Sequence, residues 1–72
     1  MNGITMTNTK WFSATTKPEE HKWVIVRDVH NKEYAYHQWT GYTWYSYCRH
    51  SDGSYDGWRT LVDVVSWRYQ EE

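Results

Sequence analysis

The longest unbroken apolar run in the chain is Trp23-Val24-Ile25-Val26, closed by Lys22 on one side and Arg27-Asp28 on the other. A short continuous run of this kind predicts a strand over 22–29 with both faces covered, the position of a central strand. From Tyr34 to Tyr47 the pattern becomes Tyr-Ala-Tyr-His-Gln-Trp-Thr-Gly-Tyr-Thr-Trp-Tyr-Ser-Tyr, which holds seven of the fourteen aromatic residues. Aromatic side chains suit a pleated, half-covered surface and Gly41 supplies the positive φ of a tight turn, so this stretch predicts a hairpin turning at Thr40-Gly41. With Thr40 and Gly41 as the loop, Trp39 stands opposite Tyr42, His37 opposite Trp44 and Ala35 opposite Ser46. Tyr34, Tyr36, Tyr45 and Tyr47 then share the other face. A longer loop shifts the pairing, and a slip of one residue exchanges the faces.

Elsewhere the signals are shorter. Lys10 to Ser13 brings Trp11 and Phe12, enough for a short strand or an anchoring segment. Thr16-Lys-Pro-Glu19 has the spacing of a capping box with proline inside the first turn, which predicts one helical turn at most. His30-Asn31-Lys32 is a turn signal that joins the apolar strand to the aromatic hairpin in a three-stranded meander. Arg49 to Gly57 is polar and contains glycine, so it predicts a long loop. Leu61 to Tyr69 alternates, with Val65, Trp67 and Tyr69 on one face and Val62, Val64 and Ser66 on the other, as a closing strand would. The fold class expected is mainly β: one domain over 10–69, an antiparallel sheet of four to five strands, strongly bent or barrel-like. Residues 1–9 are expected to form a flexible N-terminal segment and 70–72 a frayed C-terminus.

The order Trp11…Lys17-Pro18-Glu19…Val24-Ile25-Val26…Tyr36…Trp39-Thr-Gly41…Trp44…Val64-Val65-Ser66-Trp67 resembles a tryptophan-rich family of small proteins common in phages and prophages. It is the family numbered five hundred and fifty-one among domains of unknown function. The resemblance spans Trp11 to Trp67, and the chain departs from the family pattern in the polar insertion from Arg49 to Gly57 and in lacking a proline after Trp67. It implies a phage or prophage setting and carries over no catalytic residue.

Seventy-two residues allow one small core near the lower limit of independent stability, so a partner surface, a homodimer included, would add useful burial. The net charge of −1 argues against a generally basic nucleic-acid footprint. Cys48 is the only cysteine, which excludes an intrachain disulfide, and no apolar stretch approaches the roughly 20 residues of a membrane span. A cytoplasmic location, in a host cell on the phage reading, is the expectation.

Three kinds of chemistry are written into the residue types. Asp52, Ser54, Asp56, Thr60 and Asp63, with Gly57 at the sixth position, match the spacing of a calcium loop, although Asp63 stands where the longer Glu is usual. Asp and Gly in a surface turn explain the same residues without a metal. Cys48 and His50, with His21, His30 and His37, lack the spacing of a zinc site, and a Cys48 nucleophile with a histidine base has nothing in its sequence surroundings to lower the thiol pKa. No enzyme activity and no cofactor are therefore expected.

The aromatic hairpin carries the functional expectation. Its tyrosine face, Tyr34, Tyr36, Tyr45 and Tyr47 with Arg49, is read as a surface for stoichiometric binding of a host protein. In the phage setting this is an accessory that inhibits or redirects a host defence or nucleic-acid enzyme. The alternatives are a module that stacks single-stranded nucleic acid or a glycan on the aromatics, with Arg27, Arg49, Arg59 or Arg68 as cationic contacts, and a calcium-dependent structural domain.

Overall fold

A computed structural model describes residues 10–70. The expectations for 1–9 and for residues 71 and 72 lie outside the described residues. The described chain is all β, with six strands: β1 Phe12–Ser13, β2 Val24–Arg27, β3 Glu33–Trp39, β4 Trp44–Arg49, β5 Tyr55–Arg59 and β6 Ser66–Tyr69. They form one antiparallel sheet in the order β1-β6-β2-β3-β4-β5. β2 is central as its continuous apolar run requires, and β2-β3-β4 is the predicted meander. The sheet is open, which corrects the barrel-like expectation, and it has six strands where four to five were expected. Among the described residues there is no helix, hence none long and apolar enough to cross a membrane.

β6 returns from the end of the chain to lie between β1 and β2, and its Trp67 explains why. Trp67 is 2 % exposed and sits with Val24 and Val26, both fully buried. Phe12 stacks on it at 4.7 Å between ring centroids, Tyr69 meets it edge-on at 5.0 Å, and its indole N–H donates to the Thr16 carbonyl at 2.6 Å. Burying roughly 200 Å² of aromatic surface at about 25 cal/mol per Å² contributes on the order of 5 kcal/mol gross.

The segment expected to form a helical turn takes another course. Pro18 is buried, the Thr16 carbonyl is taken by Trp67, and the Glu19 N–H donates to the Tyr69 hydroxyl at 3.1 Å. Partners across the sheet thus replace the capping box. The expected closing strand over Leu61–Tyr69 shortens to β6, and Val62 and Val64 pack on the core while Val65 is exposed. Inside β6 the expected alternation holds, with Trp67 and Tyr69 inward and Ser66 opposite, whereas before it Val62 and Val64 join the inner side and Val65 leaves it, because 61–65 is irregular and the period-2 rule holds only inside a strand. Gln70, the first residue of the segment expected to fray, donates its N–H to the Trp23 carbonyl and accepts from the Tyr36 N–H.

The β3–β4 hairpin pairs Trp39 with Trp44, Gln38 with Tyr45 and His37 with Ser46. The loop centre is Gly41-Tyr42, one residue later than expected. Thr40 fixes it, because its hydroxyl accepts from the Thr43 N–H at 3.1 Å and donates to the Thr43 carbonyl at 3.0 Å. Gly41 has φ +92, a backbone conformation that strains a residue with a Cβ and so favours glycine, and the Glu20 carboxylate lies over it. The correction moves each partner by two residues, which leaves the faces as expected: His37, Trp39, Trp44 and Ser46 on one, Gln38, Tyr45 and Tyr47 on the other.

Arg49 to Gly57 is a tight hairpin, a correction to the long loop expected there. β4 runs to Arg49, and Ser51-Asp52-Gly53 turns with the Gly53 N–H on the His50 carbonyl and φ +92 at Gly53. β5 then pairs back along the whole of β4 from Tyr45↔Arg59 to Arg49↔Tyr55. A three-residue loop ending in a left-handed glycine is a common hairpin connection.

Candidate binding face of the sheet

Strand alternation sorts the side chains into two faces. The inner face holds Val24, Val26, Trp67, Phe12 and Trp44, and the segments around Thr16–Glu19 and Val62–Val64 lie over it. Lys17 stands 5.0 Å from the Trp39 ring centroid and 5.9 Å from that of Trp44. His37 is also inward, 2 % exposed, bonded through Nδ1 to the Ala35 carbonyl at 3.1 Å and through Nε2 to the Thr60 hydroxyl at 3.0 Å. A carbonyl only accepts, so Nδ1 carries the proton and Nε2 accepts from Thr60. Burial holds the imidazole pKa below its usual value, a tendency opposed only by the Ala35 carbonyl.

The outer face is lined by strand side chains together with Trp11 and Trp23, which immediately precede β1 and β2. Its centre is Trp23, whose ring lies 5.5 Å from Tyr36, 5.3 Å from Tyr47 and 5.1 Å from Tyr55, with Tyr45 a further 6.1 Å from Tyr47. The Tyr47 ring covers Gly57 on β5, its cross-strand partner, so closely that a Cβ there would strike it. Around these rings stand the arginines. Arg27 packs its guanidinium 3.6 Å above Trp11 and pairs with Glu33 at 3.1 Å, and Arg68 approaches the same indole at 5.4 Å. Arg49 and Arg59 share the outward register of Tyr55 and Tyr45. All four arginines of the chain therefore point outward, and among the described strand residues Glu33 is the one carboxylate on that face.

The predicted tyrosine set is divided by a bulge. β2 advances two residues from Val24 to Val26 while β3 takes three, from His37 back to Tyr34. The extra residue is accommodated with Tyr36 at φ +58, and it turns Tyr34 to the inner side. Tyr34 packs on the core there and donates its hydroxyl to Asp28 at 2.9 Å. That bond to a carboxylate raises the phenol pKa; desolvation at Asp28 works upward too, but the Lys32 and His30 N–H groups and the Tyr34 hydroxyl together hold the carboxyl below its usual value. Tyr34 is accordingly removed from the proposed surface, which keeps Tyr36, Tyr45, Tyr47 and Arg49 and gains Trp23 and Tyr55. Trp23 was read as part of a buried run and Tyr55 as part of a loop. The Asp52-Gly53 pair between two aromatic stretches is the signal that would have placed Tyr55 in a hairpin.

The calcium-loop residues are not brought together. Asp52 sits in the turn, where the Ser54 hydroxyl and then the Ser54 N–H bond to it and lower its pKa. Asp56 is on β5, paired with His50 at 2.7 Å, and Thr60 lies under the sheet against His37. A loop that wraps an ion cannot contain an extended strand, and β5 occupies its middle. Cys48 is exposed opposite Asp56, and no cluster of three metal-ligating side chains occurs among the described residues.

The outer face is broad and unpocketed among the described residues, and what it can do chemically is stack planar groups and attract negative charge. Comparisons with protein-family models, with curated proteins and with solved structures return no match to this chain.

Proposed function

We propose that this chain is a non-catalytic binding module that lays a single-stranded nucleic acid across the outer face of its sheet. The observation that carries the reading is the sorting of charge: four arginines and one carboxylate share the face of Trp23, Tyr36, Tyr45, Tyr47 and Tyr55. A net charge of −1 conceals this, because the other described acids sit at inward positions, in turns or in the segments leading to β2 and β6. Stacking on such rings is sequence-tolerant, since every base has a π-face, and the guanidinium groups supply phosphate contacts. The protein-binding reading uses the same residues but has no need of a single sign of charge.

The test is titration of a short single-stranded oligonucleotide while Trp fluorescence is followed at several salt concentrations. Binding with quenching that weakens steeply with salt supports the reading, at a slope of about −0.7 per phosphate neutralised. Absence of binding at low salt overturns it and returns the face to a protein ligand.

A further inference from the structure

β5 is exposed along its whole length and hydrogen-bonds to β4 alone. The phase of that ladder tells which of its backbone groups are unused. Thr60 donates its N–H to the Trp44 carbonyl at 3.1 Å and His50 donates to Ser54 at 2.7 Å, so directly bonded pairs bound the ladder at both ends. Such pairs recur every second residue in an antiparallel ladder, which assigns Ser46↔Trp58 and Cys48↔Asp56 to the bonded set. Asp56 and Trp58 therefore aim their N–H and C=O groups at β4, and Tyr55, Gly57 and Arg59 aim theirs away from the sheet. No proline, bulge or covering segment blunts this edge among the described residues. The opposite edge, β1, has only two strand residues.

We propose that β5 is a self-association edge, on which a second copy of this chain docks antiparallel about a two-fold axis through Gly57. A two-fold axis normal to the sheet keeps outer face with outer face, which restricts the register to even sums of paired residue numbers. Centring on Asp56 sets the two Asp56 carboxylates directly opposite one another, and centring on Trp58 engages only Gly57 and Arg59. Centring on Gly57 matches all five residues, pairs the unused groups of Tyr55 with Arg59 and of Gly57 with its copy, and opposes no like charges. Tyr55 then faces the partner's Arg59 on the outer side and Asp56 faces the partner's Trp58 on the inner side. Because β1 is short, the pairing closes at a dimer instead of propagating. The proposal does not rest on the nucleic-acid reading, although it would join two outer faces into one.

The test is sedimentation equilibrium of the full chain across a concentration series, with amide exchange followed by NMR. The parent is expected to dimerise reversibly, and the Tyr55, Gly57 and Arg59 amides to gain protection as concentration rises. Trp58→Asp puts a carboxylate opposite the partner's Asp56 at both symmetric positions and is expected to weaken dimerisation roughly tenfold while circular dichroism stays native. Adding Asp56→Lys to Trp58→Asp restores it, because unlike charges then meet. A parent that is monomeric at about 1 mM, a dimer indifferent to Trp58→Asp, or a double variant that stays weak overturns the proposal.

Discussion

Tyr34 and Tyr36 are two residues apart in one strand and face opposite sides of the sheet. Tyr34 packs on the Val24–Val26–Trp67 core and holds Asp28, whereas Tyr36 lies against Trp23 and Tyr55. The bulge between them costs a left-handed backbone at a residue with a Cβ, about 1–2 kcal/mol. Without it, Tyr34 would turn outward and the core would lose the ring that packs beside His37.

Tyr36→Gly is expected to be more stable than Tyr36→Ala by about 1 kcal/mol. Both remove the ring, so the difference isolates the backbone, and in an ordinary strand alanine is the more stable of the two. Urea unfolding of the pair checks this. An alanine variant at least as stable as the glycine variant would show that the backbone here is not strained.

Trp44→Ala is expected to unfold the domain at 25 °C or nearly so. Its ring packs on the buried core and meets Trp39 at 5.1 Å. Truncating such a side chain costs roughly 3–5 kcal/mol, comparable to the whole stability of a chain this small. Thermal melting by circular dichroism is the measurement, and a melting temperature within a few degrees of the parent contradicts the packing described.

Stability is expected to be level above about pH 6.5 and to fall as the solution is made more acid. The folded pKa of His37 is depressed by burial, so below the ordinary histidine pKa of about 6.5 the unfolded chain binds the proton more readily. The loss continues down to the folded pKa and then levels, with a slope of at most about 1.4 kcal/mol per pH unit for the one group. Urea midpoints measured between pH 8 and pH 5 report it. His37→Gln, which stays neutral, should flatten the profile.

Tyr45→Ala is expected to weaken oligonucleotide binding by roughly 5- to 150-fold, the equivalent of one base stack of about 1–3 kcal/mol. Arg49→Ala should lower the salt slope by about 0.7 where its guanidinium neutralises a phosphate. Lys32→Ala removes the same charge from a side chain that lies over Tyr34, on the inner side, and should change the slope little. Equal losses in all three variants would point to non-specific attraction and not to the outer face.

Much of the architecture was legible in the chain alone. The apolar run at Trp23–Val26 indicated a central strand, and the alternation from His37 to Tyr47 indicated which residues of that hairpin share a face, because a two-residue change in register preserves the faces; which face is the core was decided by packing. Local pattern also showed that the chain is mainly β. What it did not determine depends on contacts between distant residues. Trp67 set β6 beside β2 by stacking on Phe12 and burying against Val24 and Val26, and nothing local to 66–69 names those partners. The bulge at Tyr36 follows from matching β3 to β2, so no reading of β3 by itself could send Tyr34 inward. The gathering of Arg27, Arg49, Arg59 and Arg68 on one face arises from four strands whose side-chain parity is fixed only when their registers are fixed together. A one-residue slip in any of them would have reversed its arginine, which is why the charge of this surface is decided by the tertiary structure and not by the sum along the sequence.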